Sequence, residues 1–449
     1  SELSEPHPTE NKELLVSAAD SDLGHRAPDF GSDILAPTLD VSPLDVPTKE
    51  TAVPLGSELL PTLDMTGLEL ASENFDGAVL DGNCFKYSKM TGVRMVGVGL
   101  RNADLCGAQW AEVDAASAVM AGAKIAHCVW SDVGLVQADF SNAELTGSRW
   151  EKSRADNAKF SGARLDNIRW SECSLNQALF ENVQMADARV EKSSLRGAKF
   201  SNAYLNRARF TSSSMEEAEL AGVRAEAADF EEANLARANF SGAQLRFADF
   251  EEANLTGANF FGADLSGADL EEVHAERANF SHCVLTGAEL EGAQLNFCRL
   301  VEARLENAEL ENANLEGADL TGAVLRYANL RGANLAHANL SDADLEGADL
   351  TGATLENAIF DRARFAFANL NRANLRASMG EQAVFVGARL TEVDGADASL
   401  IACDFSNAVF ASAKFAKAMM RQSKLEGAEL SGVDFRGAYL QDAGLYKAA

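Results

Sequence analysis

The sequence predicts an all-β solenoid: a quadrilateral β-helix wound from five-residue units, preceded by an extended N-terminal segment. Three observations predict it. From Met65 to Leu445 every fifth residue is apolar, alanine or glycine, and no insertion breaks the register. The four tryptophans, Trp110, Trp130, Trp150 and Trp170, are spaced by twenty. All eight prolines fall between Pro6 and Pro61. A period of five belongs to neither an α-helix, at 3.6, nor a flat strand, at 2.0.

Residues 1–58 come first. They hold twelve acids against Lys12, Arg26 and Lys49 and show no periodicity, the composition of an extended, disordered segment. Short apolar clusters such as Leu14-Leu15-Val16 and Ile34-Leu35 are candidate anchors for a partner or for the side of the repeat domain. Ser1 is compatible with a processed start, a fragment, or a piece of a longer chain.

Residues 59–449 form the repeat domain. Two residues before each central position, from Ser88 onward, stands Ala, Val, Ser, Cys or Ile. Two of every five side chains therefore point inward and three face water. The tryptophan spacing sets four units per coil and about 19 coils, a rod of roughly 90 Å at a strand spacing near 4.8 Å. Val190, Phe210, Phe230 and Phe250 continue the tryptophan column, and Phe140, Phe160, Phe180 and Phe200 occupy the opposite face. Smaller centres, including Ala115 and Ala155, fall on the remaining faces and let the interior fill. Glu73 and Asn83 replace the small inward residue, so the first coils are expected to be irregular. Gly380 and Gly395 replace apolar centres and are expected to leave the interior under-filled.

Motifs such as Ala318-Asp319-Leu320-Thr321-Gly322 and Ala333-Asn334-Leu335-Ala336-His337 resemble the A(D/N)LXX unit of pentapeptide-repeat proteins. The resemblance spans roughly residues 60–449 and implies that the β-helix is right-handed.

Composition narrows the function. With Lys+Arg 39 against Asp+Glu 68, a formal charge of -29 argues against direct nucleic-acid binding. No apolar run has the length of a membrane span. A filled rod offers no pocket for catalysis, so no enzyme, cofactor or metal is expected. His127, His274, His282 and His337 occupy scattered outward positions; Cys128, Cys173, Cys283, Cys298 and Cys403 replace inward alanines and suit a reducing compartment. The glycines follow the five-residue period rather than a phosphate-binding motif.

The surface carries the remaining information. The column before the tryptophan-face centres reads Arg149, Arg169, Arg189, Arg209, then Asp229, Asp249, Asp269, Glu289, Glu309. Glu231, Glu232, Glu251, Glu252, Glu271, Glu272, Glu291 and Glu311 flank its acidic half. Thirteen carboxylates over about 20 Å match the roughly 12 phosphates of duplex DNA of that length. This face is a candidate docking site for a basic partner, or a solvated face. Glu151, Glu172 and Glu191 offset the arginine column, which is also a candidate receiver for the acidic N-terminal segment. Tyr87, Phe247, Tyr327 and Phe367 share one outward column. Leu440, Leu445 and Tyr446 are candidate contacts of a homodimer through the C-terminal end, where an uncapped coil exposes strand edges.

The first functional reading is a non-catalytic scaffold or adaptor that engages proteins through its rod and tail. Resemblance to long family members with a Pro-rich acidic lead-in implies an accessory or effector-associated role in a bacterial secretion system, in the cytoplasm. The second is a DNA-mimicking inhibitor or protector of a type II topoisomerase (gyrase or topoisomerase IV), as the resemblance to smaller pentapeptide-repeat proteins implies.

Overall fold

A computed structural model describes residues 63–449. The extended segment expected over 1–58 lies outside the described residues. Within them the chain climbs as a parallel β-solenoid in which each residue pairs with the one twenty positions on. On the tryptophan face seven short strands stack in sequence order: β1 (Glu69–Ala71), β2 (Lys89–Thr91), β3 (Gln109–Ala111), β4 (Val129–Ser131), β5 (Arg149–Glu151), β6 (Arg169–Ser171) and β7 (Arg189–Glu191). Single parallel bridges carry all four faces from Asp64↔Cys84 to Lys424↔Gly444. Among the described residues no helix is long and apolar enough to cross a membrane.

The five-residue unit is a strand-like pair followed by a tight corner. After each centre the chain turns, and the amide of the fourth residue bonds back to the central carbonyl, as Ala108 N does to Leu105 O at 2.9 Å. The third residue of the turn has φ near +60°, where glycine and asparagine are favoured and type II turns are built. Aspartate or asparagine just before the centre caps the corner: Asp319 Oδ1 accepts from Thr321 N, and Asn334 Oδ1 from Ala336 N. The polar letter of the A(D/N)LXX unit is thus a hydrogen-bond acceptor for an amide that no turn or ladder reaches.

Up to residue 193 the tryptophan face departs from this rule. Its centres are followed by Val113, Val133, Ser153, Cys173 and Ser193, whose amides make no bond to the preceding centre. The turn bond appears only at Ser213 N→Phe210 O, 3.0 Å. Serine supplies partners for several freed amides. Ser153 Oγ accepts from Val133 N, Ser193 Oγ from Cys173 N, and Ser213 Oγ from Ser193 N. A buried amide would otherwise forfeit its hydrogen bond with water.

The core is a set of columns. Trp110, Trp130, Trp150 and Trp170 stack at 4.4–4.9 Å between ring centroids and meet the opposite column across the interior, as Trp150 meets Phe160 at 6.0 Å. Their indole nitrogens are buried without a hydrogen-bond partner, because stacking fixes the ring planes. The inward cysteines are buried, and Cys128, Cys283, Cys298 and Cys403 donate S–H to carbonyls of the coil below. Burial pushes the Cys173 thiol up to about 11 and those of Cys283, Cys298 and Cys403 to about 12.

Two expectations are corrected. The first coils keep the register: Asn83 turns inward and its Oδ1 accepts from Leu63 N at 3.0 Å, so an amide replaces the missing alanine. The glycine centres are not under-filled either. A Cβ on Gly380 would lie 2.0 Å from the Phe360 ring and one on Gly395 2.3 Å from Phe415. Phenylalanines of the adjacent coils, one from below and one from above, lean into the space that each glycine leaves.

Candidate functional site

The charged column stands on the tryptophan face, and the structure assembles it as the sequence implied. Strands β5, β6 and β7 set Arg149, Arg169 and Arg189 in register, and bridges continue through Arg209, Asp229, Asp249, Asp269, Glu289 and Glu309. The change of sign comes one coil after the change of backbone. Arg149, Arg169 and Arg189 stand on open-turn coils, Arg209 precedes the first closed turn, and acids begin at the next coil.

The closed turn supplies a reason for part of the acidity. Asp229, Asp249 and Asp269 cap their corners by accepting from the amides of Glu231, Glu251 and Glu271 at 3.0–3.2 Å. Asparagine does the same on neighbouring faces, so the cap requires the oxygen and not the charge. No corner cap is made by Glu289, Glu309 or the eight flanking glutamates. At the ends of the strip polar neighbours help: Ser212 donates to Glu232, and Asn329 donates to Glu309 and Glu311. In the middle the carboxylates face one another. Burial first, and neighbouring carboxylates second, raise the pKa of Glu231, Glu251 and Glu271. Asp249 is raised by burial and by Asp269 and Asp229, against its backbone cap. Each group resists ionisation because burial penalises its charge and, second, because like charges sit close by.

Two overlapping triads, Asp249–Glu251–Asp269 and Asp269–Glu271–Glu289, bring carboxylate oxygens within 4.8 Å of one another. Their chemistry suits a hard divalent cation, and exposed acidic groups also adopt this spacing without one. The sequence reading did not single out these triads, although the twenty-residue period contained the signal.

The arginines are less offset than expected. Glu151 pairs with Lys152 at 3.2 Å, and among the described residues no carboxylate lies within 4.0 Å of Arg149, Arg169 or Arg189. Arg209 approaches Asp229 at 3.9 Å, where the two halves of the column meet.

The exposed aromatics have an intramolecular role. A Cβ on Gly107, Gly267, Gly347 or Gly387 would lie 2.6–2.8 Å from the ring of Tyr87, Phe247, Tyr327 or Phe367, one coil below. Phe297 covers Gly317 in the same way, and His127 covers Gly147. Each ring shields a corner whose glycine has no side chain of its own. His282 lies 3.3 Å from Glu302. Of the C-terminal candidates, Leu440 packs partly against the core, while Leu445 and Tyr446 are exposed and Lys447 lies over the Tyr446 ring.

The comparisons follow from this architecture. The family model described as pentapeptide repeats matches repeatedly between residues 226 and 448, and the pentapeptide repeat region model matches 133–210. Together they cover more than half of the chain. Solved structures that are similar include QnrB1, a plasmid-mediated fluoroquinolone resistance protein, at 20% identity over 45% of this chain and 92% of that one, with a TM-score of 0.25. HetL, a pentapeptide repeat protein involved in heterocyst differentiation regulation in the cyanobacterium Nostoc, is 27% identical over 59% of this chain and 88% of its own, with a TM-score of 0.16. A thylakoid-lumen pentapeptide repeat protein of Arabidopsis thaliana is 29% identical over 29% of this chain and 64% of its own, with a TM-score of 0.12. No curated protein sequence matches the chain. The chain belongs to the pentapeptide-repeat family.

Proposed function

We propose that this protein is a non-catalytic interaction scaffold whose acidic strip docks a basic protein surface. One observation carries the reading: ten glutamates gather on one face without capping a corner, and like-charged neighbours there work against folding. Clustered negative potential of this kind steers and orients a basic partner.

The DNA-mimic reading is supported by the density of the same strip, thirteen carboxylates over about 20 Å. Against it, the strip is short and the exposed arginines Arg149, Arg169 and Arg189 stand on the same face. The secretion-system and bacterial-cytoplasm readings, and the role given to residues 1–58, rest on sequence and resemblance alone.

A quantitative pull-down tests these readings with three baits: the intact chain, the chain lacking residues 1–58, and Glu251→Gln/Glu271→Gln/Glu291→Gln. Loss of a salt-sensitive partner by the glutamine variant alone supports docking on the strip, and capture of a type II topoisomerase there favours mimicry. Partners lost only with residues 1–58 deleted would transfer the adaptor role to the tail and make the strip a solvated face.

A further inference from the structure

We propose a second interaction surface, on the opposite face near the C-terminal coils, that pairs two copies of this chain in antiparallel, side-by-side contact. The column before the centres of that face runs Asn239, Asn259, Asn279, Arg299, Asp319, Asn339 and then turns mainly apolar: Ile359, Met379, Met419 and Tyr439, with Ser399 among them. Met379, Met419 and Tyr439 are 47%, 37% and 46% exposed. The same column position on the other three faces stays mainly polar here, as in Asp344, Arg364, Asp404 and Lys424, or Thr354, Asn374, Asp394 and Lys414.

The substitution has a local cost. Asp319 and Asn339, earlier in this column, cap the corners at Thr321 and Ser341. Ser399, Met419 and Tyr439 provide no such cap, and no hydrogen bond within the described residues involves the amides of Ile401, Arg421 or Gln441. Only Glu381 keeps a cap, from Asp361 one coil below at 2.7 Å. Gly380, the centre filled by the Phe360 ring, lies in the middle of this stretch. An open cleft lined by Ile401, Arg421, Gln422, Gln441 and Asp442 borders it.

The occupant is identified by complementarity. A two-fold axis along the strand direction, at the coil of Ser399 and Ile401, lays each column on its own reverse. Met379 then faces Met419 of the second copy, Ile359 faces Tyr439, and Ile401 faces Ile401. In the flanking column Glu381 faces Arg421, and at the corner Arg362 faces Asp442. Glu381, Arg421 and Asp442 have no intramolecular ion pair among the described residues; Arg421 instead lies over the Tyr439 ring at 5.5 Å. Apolar meets apolar and Glu381 meets Arg421 on both sides of the axis, which lies on small or apolar residues. Asp361 faces the uncharged Gln441, and Arg362 is also held by Asp342 of its own chain at 2.6 Å. This is the self-complementarity that a two-fold contact demands.

The size sets the strength. Five coils at about 4.8 Å and four residues at about 3.3 Å give roughly 300 Å² per copy. A total near 600 Å² lies well below the roughly 1,200 Å² of a standard stable interface, so weak association, read at the upper end of the concentration range, is expected.

Sedimentation equilibrium of the full chain at 1–100 µM in 0.3 M salt tests the proposal. Glu381→Arg and Arg421→Glu should each weaken self-association at least tenfold. The double variant should restore it, because the swapped charges meet again across the axis. Met419→Glu should abolish association while circular dichroism stays unchanged. A monomer at 100 µM overturns the proposal. So does a dimer that survives both single reversals, or one that is broken by Leu445→Glu/Tyr446→Glu and not by Met419→Glu, which would place the contact at the end of the rod.

Discussion

Replacing Asp249 by asparagine should stabilise the coils around it. Its carboxylate faces Asp269 one coil above, with oxygens within 4.8 Å, and Asp229 one coil below. Two unit charges about 5 Å apart in water repel by about 0.8 kcal/mol, and physiological salt screens roughly half of that. Two neighbours therefore oppose folding by about 1.6 kcal/mol at low salt and about 0.8 kcal/mol at 0.15 M. Asparagine keeps the oxygen that accepts from Glu251 N at 3.0 Å. Its amide fits the same stacking, as Asn259 shows by donating to Asn239 at 3.1 Å. A solenoid opens locally, so a global unfolding midpoint would dilute the effect. Hydrogen exchange followed by mass spectrometry on peptides spanning 245–275 reads it directly. Protection should rise several-fold in 20 mM salt and return to the wild-type value in 1 M salt. Unchanged or reduced protection at low salt would refute the argument, showing that the carboxylates are already neutralised or that the cap needs the charge.

Other outcomes follow from the same structure. The raised carboxylates Glu231, Asp249, Glu251 and Glu271 hold more protons in the folded than in the unfolded chain between the unfolded pKa, near 4, and their folded values. Their coils should thus gain protection as pH falls through that window. Asp187 and Asp342, lowered by Arg207 and Arg362, contribute above the unfolded pKa and lose that contribution as pH falls through the folded one, so their coils should lose protection in more acid solution. Gly347→Ala drives a methyl into the Tyr327 ring, whereas Gly242→Ala meets nothing within 4 Å. Both share a left-handed φ that Ala227 also adopts, so hydrogen exchange should show Gly347→Ala as the costlier by about 1 kcal/mol. Gly380→Leu, which restores the repeat pattern, should destabilise by about 1–3 kcal/mol because Phe360 already fills the site, and Phe360→Leu in the same chain should recover most of it. Ser193→Ala removes the acceptor of Cys173 N, at 3.1 Å, and should cost about 1–2 kcal/mol, read as exchange of that amide.

Much of the rod was legible in the sequence. The unbroken step of five gives the unit, and the tryptophans at 110, 130, 150 and 170 give the coil. Alternation between small and large residues gives the inside, because each is a local pattern that the chain must repeat to stack on itself. The charged column could be listed in order before any coordinate was known.

Other features depend on pairs of residues 18 to 23 positions apart, whose side chains meet only after the coils have stacked. That Phe360 and Phe415 fill the gaps at Gly380 and Gly395, or that Tyr327 lies on Gly347, depends on how a ring leans between coils. That Asp249 caps a corner while Glu251 caps none depends on where each stands in the turn, since Glu251 supplies the amide that Asp249 accepts from. Sequence by itself determined which residues line each face, since a fixed period fixes direction. Only the tertiary structure decided which surface groups the fold uses and which it leaves free, because a hydrogen bond or a ring contact is satisfied by its neighbour in space.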